Sequence, residues 1–314
     1  MYSAVSDNKF VKSNTIAYIP ASFHGGQGKS GVDFASKELV KKGICSQLEG
    51  IGYSVRQHED TDCNEFKPAE DPQIFNAKNP IWVSEFNKHL SEQVATECRA
   101  GNRTVVVGGD HSVAIGSING TTSVYGDDMC LVWIDAHPDI HKLDTTESGN
   151  IHGCPVSLSL GIEKNSTFGW VVPRIKKERL VYIGLRDVDP KEAMIIRENK
   201  IKAFSMTDVD RYGIGKVVEM ALDHVNPNRD LPIHLSFDVD AMDPTVTPAT
   251  GTPVRGGLTF REGHYVCEAI AETNCLVSMD LVEVNPFLGN EAERDQTVTV
   301  GCSLIRSAFG ETLL

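Results

Sequence analysis

Short apolar runs recur along the chain and alternate with longer stretches whose apolar residues have helical spacing. The runs are continuous, which is typical of strands buried on both faces of a parallel sheet. The predicted strands are residues 15–20, 53–59 (the weakest), 104–109, 130–135, 180–185, 202–206, 232–240 and 275–284. The predicted helices are residues 32–49, 84–100, 112–119, 154–161, 190–199, 207–225, 259–272 and 293–309. This alternation predicts an α/β fold built from βαβ units.

Length and composition place limits on the organisation of the chain. With 314 residues and 40% hydrophobic content, the chain can bury one large core, and we expect a single domain over 1–314 in which 1–14 form a flexible N-terminal extension. The net charge of −13 argues against nucleic acid or an anionic membrane as a partner. No apolar run is long enough to span a bilayer, and the first residues do not resemble a secretory signal.

Eight cysteines are scattered through the sequence without any CxxC pair. A disulfide framework is not expected in a chain this long and this poor in cysteine. We therefore expect free thiols and a cytoplasmic location.

Unusual acidic and histidine residues fall just after the last apolar residue of several predicted strands. They occur in the segments "GGDHS", "DAHPD", "LRDVDP", "DVDAMD" and "EVNP". In open α/β sheets, ligands bind beyond the carboxyl ends of the strands. A single acid after a strand is usually a helix cap or a turn residue. Several such strand ends together predict one polar site.

Two of these segments have the side-chain spacing of a metal site. Residues spaced two apart on an extended chain share one face, as in "DAHPD" and "DVD". Together with a histidine from "GGDHS", the candidate metal ligands are His111, Asp135, His137, Asp139, Asp238 and Asp240. These side chains offer nitrogen and oxygen but no thiolate, a set that suits divalent ions such as manganese. Four carboxylates would balance the charge of two such cations.

The segments "GGDHS", "DAHPDIH", "SGNIHG" and "SFDVDAMDPTVTPATGTPV" resemble the signatures of the ureohydrolases, and within them the arginases. The resemblance extends from about residue 15 to residue 309. It implies a three-layer α/β fold around a central eight-stranded parallel sheet, two manganese ions and a homotrimer. The implied activity is hydrolysis of L-arginine to L-ornithine and urea by attack of metal-bound hydroxide.

The resemblance also implies how the candidate ligands divide between the ions. One ion would take His111, Asp135, Asp139 and Asp238, and the other would take His137, Asp135, Asp238 and Asp240. Asp135 and Asp238 would bridge both ions. Asp243 lies outside this set, and we expect it to fix the turn that follows.

Further roles follow from the matching motif positions. His152 would be the catalytic proton-transfer residue, because histidine has a pKa suited to that task, and Glu283 would face the substrate guanidinium. Ser148 and Asn150 would bind the substrate α-carboxylate, and Thr252 occupies another substrate-side position. Asp189 would contact the α-amino group with Glu192 nearby, although the same pair also matches the pattern of a helix capping box. His141 stands on the carboxylate side, where arginases commonly carry asparagine.

Three alternatives remain open from sequence. The segment "HGGQGKS" (24–30) resembles a phosphate-binding loop, but Phe23 stands where that motif needs its first glycine. An agmatinase would have no use for a carboxylate clamp at Ser148 and Asn150. A catalytically inactive, ligand-binding relative would have lost a metal ligand, whereas all six positions are filled here.

Overall fold

The computed structural model describes residues 8–312. Within that range a single sheet is built from the strands β1 Thr15–Ala21, β2 Ser54–Gln57, β3 Arg103–Gly108, β4 Cys130–Ile134, β5 Leu180–Leu185, β6 Lys202–Ser205, β7 Ile233–Asp238 and β8 Leu276–Val282. All neighbouring strands are parallel, in the order β2-β1-β3-β8-β7-β4-β5-β6. The predicted eight-stranded parallel sheet is therefore confirmed, including its weakest strand.

The helices bounded in the described part of the chain are α1 Ala35–Lys41, α2 Ile44–Gly50, α3 Pro80–Arg99, α4 Ala114–Tyr125, α5 Pro155–Ser159, α6 Pro190–Asn199, α7 Met206–Tyr212, α8 Ile214–Val225, α9 Phe260–Glu272 and α10 Glu291–Ala308. Two predicted helices, 32–49 and 207–225, are each divided. The breaks fall at Gly43 and Gly213, whose φ angles of 89° and 76° end the preceding turn.

The helices cover both faces of the sheet, because successive strand residues point to opposite sides. Ile16 and Tyr18 pack with α1, α2 and α7 to α10, whereas Ala17 and Ile19 belong to the core under α3 and α4. Trp133 packs with the core that includes α4 to α6. The three-layer arrangement expected from the sequence is thus confirmed.

Capping boxes begin two of the helices, one of them at the predicted position Asp189. Asp189 caps α6 and Thr259 caps α9, each in a capping box with the glutamate three residues later, Glu192 or Glu262. These caps satisfy backbone donors that have no partner within the helix.

The expected N-terminal extension is only partly described, since residues 1–7 lie outside the described range. After them, the Asn8 side chain donates to the Leu276 carbonyl at 2.8 Å. The Lys12 backbone N–H donates to the Gly101 carbonyl at 2.9 Å. Asn8 and Lys12 therefore hydrogen-bond to the body of the protein.

Candidate metal centre and substrate cleft

Four neighbouring central strands, β3, β8, β7 and β4, carry acidic or imidazole side chains at the same edge of the sheet. Asp135 follows β4, Glu283 follows β8, and Asp238 is the last residue of β7. His111 comes three residues after β3. These residues are far apart in sequence and meet because their strands are adjacent and parallel.

Local turns aim the aspartates at this edge. Oδ1 of Asp135 accepts the backbone N–H of His137, and Oδ1 of Asp238 accepts that of Asp240, each at 2.7 Å. Asp110 caps the turn at His111 in the same way through Ser112. Because one oxygen of each aspartate accepts a backbone N–H of the turn, the backbone orients the carboxylate.

The first group of possible ligands surrounds Nδ1 of His111. This nitrogen lies 3.1 Å from Oδ2 of Asp135, 3.1 Å from Oδ2 of Asp139 and 3.2 Å from Oδ2 of Asp238. All four side chains are buried. The second group surrounds Nδ1 of His137, which lies 3.3 Å from Oδ1 of Asp135 and 3.2 Å from Oδ2 of Asp240.

Asp135 contributes to both groups, with one oxygen in each. The predicted metal ligands are thus brought together in two adjacent clusters. Asp238 lies in the cluster around His111, while its other oxygen accepts the N–H of Asp240.

The donor set fits divalent cations. Nδ1 of His111 is buried and has no hydrogen-bond partner within residues 8–312, although three carboxylate oxygens lie within 3.2 Å. Its other nitrogen, Nε2, lies 2.9 Å from Oγ of Ser236. A nitrogen lone pair facing several carboxylate oxygens needs positive charge between them, and nitrogen and oxygen donors suit ions of the manganese type.

The pKa values of the carboxylates also reflect how closely they are packed. Burial and the charges of Asp240 and Asp135 raise the pKa of Asp238 well above its usual range. Burial and Asp135 likewise raise the pKa of Asp240 to about 6. Burial raises the pKa of Asp135 too, but the neighbouring imidazoles of His111 and His137 outweigh it and hold that pKa low. Closely packed carboxylates repel one another unless cations or imidazolium groups offset their charge.

The imidazole of His111 is held from its face as well as its edge. Its ring stacks on Trp133 with centroids 4.1 Å apart and planes 9° from parallel. Nε1 of Trp133 also donates to Oδ2 of Asp135 at 3.0 Å. Trp133 therefore contacts two of the possible ligands, a role the sequence analysis missed.

Beside this centre, Nδ1 of His152 lies 2.9 Å from Oε1 of Glu283, which also accepts the backbone N–H of His111 at 3.0 Å. Burial lowers the pKa of His152, but Glu283 outweighs it and raises that pKa to about 9. Burial raises the pKa of Glu283, but the hydrogen bond from His152 has the larger effect, so the pKa of Glu283 is below its usual value.

Glu283 and Asp139 have φ angles of 62° and 48°, in the left-handed region that non-glycine residues rarely adopt. Such strain persists only where the surroundings hold it, and it clusters at functional sites. Both side chains belong to the polar centre described here.

A cleft of about 390 Å³ opens over the centre. Its lining includes the predicted residues His137, Asp139, His141, Ser148, Asn150, His152, Asp189, Glu192, Asp238 and Thr252. Glu283, the remaining predicted substrate contact, does not line the cleft and is only 2% exposed. Glu283 contacts His152, which does line the cleft.

Some polar atoms of the cleft residues already have hydrogen-bond partners within the protein. Thr252 already donates to Oδ2 of Asp240 at 2.8 Å. Glu192 accepts the backbone N–H groups of Ile140 and Asp189, and burial followed by the charge of Asp139 raises its pKa to about 8.

His141 approaches the cleft between two polar neighbours. Its Nδ1 lies 3.2 Å from Oγ1 of Thr145, and its Nε2 lies 3.8 Å from Oε2 of Glu192. Burial lowers the pKa of His141.

The cleft also contains Asp187 and Thr146, which the sequence analysis did not single out. Asp187 lies in the quoted segment "LRDVDP", so the signal for it was present. Oδ2 of Asp187 lies 3.7 Å from Nε2 of His137.

Asp243 fixes the turn after the aspartate motif, as expected. It accepts hydrogen bonds from Thr245 and from the backbone N–H groups of Gly256 and Gly257. The Thr245 hydroxyl and these N–H groups lower its pKa to about 2.

The glycine-rich segment 24–30 forms part of the wall of the centre. The N–H of Gly26 donates to Oδ2 of Asp110 at 2.9 Å, and its carbonyl accepts the N–H of His152 at 3.0 Å. A Cβ at Gly26 would meet Asp110 and Ser112 at 2.4–2.7 Å, so glycine is needed for this approach. Because the Gly26 N–H is bonded to a carboxylate, the segment does not form the anion-binding nest of a phosphate loop.

The fold and the centre define a class of protein: a three-layer α/β protein whose carboxylates and imidazoles can hold cations at the carboxyl edge of a parallel sheet. The family model described as the Arginase family matches residues 14–310. The chain belongs to the arginase family, and the sequence-based expectation of a hydrolase of this family is confirmed.

Similar proteins span nearly the whole chain. An arginase from Glaciozyma antarctica is 52% identical over 307 residues, covering 96% of this chain and 89% of the relative. An arginase from Schizosaccharomyces pombe is 45% identical, covering 99% of this chain and 98% of the relative. The crystal structure of arginase from Bacillus subtilis has a TM-score of 0.85 at 34% identity, covering 96% of this chain and 100% of that one.

All eight cysteines are free, as expected. Among residues 8–312, no helix combines the length and the apolar character needed to cross a bilayer.

Proposed function

We propose that this chain hydrolyses L-arginine to L-ornithine and urea with two manganese ions held by the six predicted ligands. The observation that carries the proposal is the pair of adjacent ligand clusters sharing Asp135 under a polar cleft. The relatives named arginase support the substrate. In this proposal His111, Asp135, Asp139 and Asp238 hold one ion, and His137, Asp135, Asp238 and Asp240 hold the other.

The cations, when bound, would lower the pKa of water from ~15.7 towards ~7 and so supply a nucleophile at neutral pH. A guanidinium carbon needs such help, because its positive charge is delocalised over three nitrogens. Asp135 and Asp238, which would hold these cations, are oriented by hydrogen bonds from the backbone N–H groups of His137 and Asp240.

His152 and Glu283 act on the substrate in this proposal. In this proposal the Glu283 carboxylate lies on the guanidinium side of the cleft, behind His152, and offsets the charge of the substrate from there. Nδ1 of His152 is held by Glu283, which leaves Nε2 to give a proton to the departing amine. With its pKa raised to about 9, His152 is protonated at neutral pH and can act as this acid.

The outer part of the cleft recognises the amino-acid end of the substrate. Ser148 and Asn150 bind the α-carboxylate, with His141 on the same side. Asp189 contacts the α-ammonium, and Glu192 lies nearby with both of its oxygens already accepting backbone N–H groups. Thr252 orients Asp240 through its hydroxyl.

The test is urea release from arginine, agmatine and other guanidino compounds with added manganese. We expect arginine to be hydrolysed faster than agmatine, because agmatine has no carboxylate for Ser148 and Asn150 to bind. Faster hydrolysis of agmatine would favour an agmatinase. Purified protein that binds no divalent cation would favour the inactive relative.

The proposal extends to the whole protein as one catalytic domain that forms a homotrimer in the cytoplasm. The resemblance to arginases supports the trimer, and the scattered free thiols support a reducing compartment. Light scattering of the purified protein tests the trimer, and imaging of a tagged protein in its own cell tests the location.

A further inference from the structure

A chain of buried polar side chains lies beneath the metal centre, on the neighbouring strands β7 and β8. Ser236 lies on β7 and Asp280 on β8, and both are 0% exposed. Oγ of Ser236 lies 2.9 Å from Nε2 of His111 and 3.2 Å from Oδ2 of Asp280. The chain therefore runs from a buried carboxylate through a hydroxyl to one of the possible metal ligands.

The chemistry of the three groups sets the direction of these hydrogen bonds. An ionised carboxylate can only accept, so the Ser236 hydroxyl donates to Asp280. That hydroxyl then accepts from Nε2–H of His111. The proton of His111 is thereby held on Nε2, and the lone pair of Nδ1 faces the oxygens of Asp135, Asp139 and Asp238.

Asp280 itself is held firmly. Its Oδ2 also accepts from Oγ of Ser117 at 2.8 Å and lies 2.9 Å from Nε2 of His234. Nδ1 of His234 lies 3.2 Å from Oγ1 of Thr121. Ser117, His234 and Ser236 therefore all contact Oδ2 of Asp280. Oδ1 of Asp280 has no hydrogen-bond partner among residues 8–312.

Such an arrangement is costly for stability alone. Burying a carboxylate with one oxygen unpaired is unfavourable, and apolar residues of similar volume usually replace buried polar groups without loss. A function at the metal centre explains why a polar chain occupies this position.

We propose that Asp280, acting through Ser236, is a positioning residue that holds the proton of His111 on Nε2 and so strengthens cation binding at Nδ1. The inference rests on the proposed function, in which the His111 cluster holds a cation. Hydrogen-bond partners of a histidine ligand typically change metal affinity by about 10- to 100-fold when removed. Ser236 and Asp280 hydrogen-bond to neither His137 nor Asp240, so we expect the ion at His137 to bind as in wild type.

The test is calorimetric titration of the full-length protein with Mn²⁺, comparing wild type with Ser236→Ala and Asp280→Ala. Ser236→Ala removes the bridging hydroxyl. Asp280→Ala frees that hydroxyl to donate to Nε2, which moves the proton to Nδ1. We expect one of the two ions to bind about 10- to 100-fold more weakly in both variants, and the other to bind as in wild type.

Two control variants separate positioning from packing. Ser278→Ala removes a buried hydroxyl of β8 that accepts from Thr104 at 2.7 Å and does not contact Ser236, so Mn²⁺ affinity should not change. Ser236→Thr keeps the hydroxyl and should bind Mn²⁺ nearly as wild type does. Thermal melting of the metal-free variants measures any loss of stability separately from affinity.

The outcomes are distinguishable. Equal binding of both ions by wild type and Ser236→Ala would overturn the positioning role and leave the proposed function intact. Wild-type protein that binds no Mn²⁺ would overturn the proposed function and this inference with it. If Asp280→Ala fails to fold, the Mn²⁺ affinity of Ser236→Ala tests the positioning role alone. This variant should fold, because it removes a single oxygen atom.

Discussion

Nδ1 of His152 and Oε1 of Glu283 lie 2.9 Å apart, at the point where the cleft meets the buried end of β8. Glu283 is 2% exposed, whereas His152 lines the cleft. Their opposite charges raise the pKa of His152 to about 9 and lower that of Glu283, in each case against the effect of burial. The pair is therefore charged at neutral pH.

This pair predicts a pH-dependent contribution to stability. The pKa of His152 is raised above its unfolded value of about 6.5, so the contribution is complete below about pH 6.5 and is lost as the pH rises through about 9. Glu283→Gln should therefore lower the free energy of unfolding near pH 6.5 by up to about 3 kcal/mol, and by much less above pH 9. Denaturant unfolding of the metal-free protein across this range measures the difference.

His224→Gln is a suitable control, because this histidine lies on α8 away from the cleft. Its effect on the free energy of unfolding should not follow the same pH profile. A Glu283→Gln effect that stays constant from pH 6.5 to 10 would contradict the charged pair.

Variants of the centre should separate metal loading from proton transfer. Asp135→Asn and Asp238→Asn should remove most activity and reduce bound manganese, because both residues are assigned to the two-ion site. His152→Ala should retain manganese and slow turnover by about 10²- to 10⁴-fold, the usual contribution of a general acid or base. Elemental analysis and urea release, measured on the same samples, check this prediction.

Full activity in metal-depleted Asp238→Asn protein would refute the two-ion mechanism. Loss of manganese from His152→Ala would show instead that His152 supports the centre structurally. His141→Asn is a matched comparison in the cleft, since it replaces a histidine without touching either cluster.

The strands could be predicted from sequence because parallel strands buried on both faces are continuous apolar runs. The motif segments could also be placed at the strand ends. Trp133, Ser236 and Asp280 could not be assigned, because their contacts depend on β8 lying beside β7 and β7 beside β4. Neighbours in the sheet that are distant in sequence leave no local pattern.

The divided helices have a similar cause. Apolar spacing continues through 32–49 and 207–225, and an isolated glycine within such a pattern is often tolerated. The breaks at Gly43 and Gly213 arise from the φ angles that let each following helix turn onto the sheet. Sequence spacing reports which residues are buried but not where the helix axis changes direction.

Gly213 offers a direct test of this backbone requirement. It has φ 76° and ψ 152°, a conformation that is essentially restricted to glycine. A Cβ there would meet no atom within 4 Å, so the cost of Gly213→Ala comes from the backbone alone. We expect a loss of about 1–3 kcal/mol in the free energy of unfolding, measured by denaturant titration.

Gly50→Ala is the matched control, because it also has open space around its Cβ but no positive φ angle. Alanine at this position within α2 should leave stability unchanged or raise it by up to about 1 kcal/mol. Equal effects of the two substitutions would contradict the explanation for the helix break.

The clamp at the outer cleft predicts a change in substrate preference. Oγ of Ser148 accepts the backbone N–H of Asn150 at 3.2 Å, which orders the loop around Gly149, whose φ is 74°. A hydrogen bond to a charged group contributes about 1.5–3 kcal/mol. Asn150→Ala should therefore lower kcat/KM for arginine by about 10- to 100-fold, chiefly through KM, because the carboxylate binds alike in the ground and transition states.

Agmatine provides the internal control for this variant, because it carries no carboxylate. Its kcat/KM should stay the same in Asn150→Ala, so the ratio of arginine to agmatine hydrolysis should fall by the full factor. An equal loss of kcat/KM for both substrates would mean that Asn150 supports the loop that carries His152 and does not bind the substrate carboxylate. That outcome would move the basis of arginine selectivity to the opposite wall of the cleft, where Asp189 lies at the start of α6.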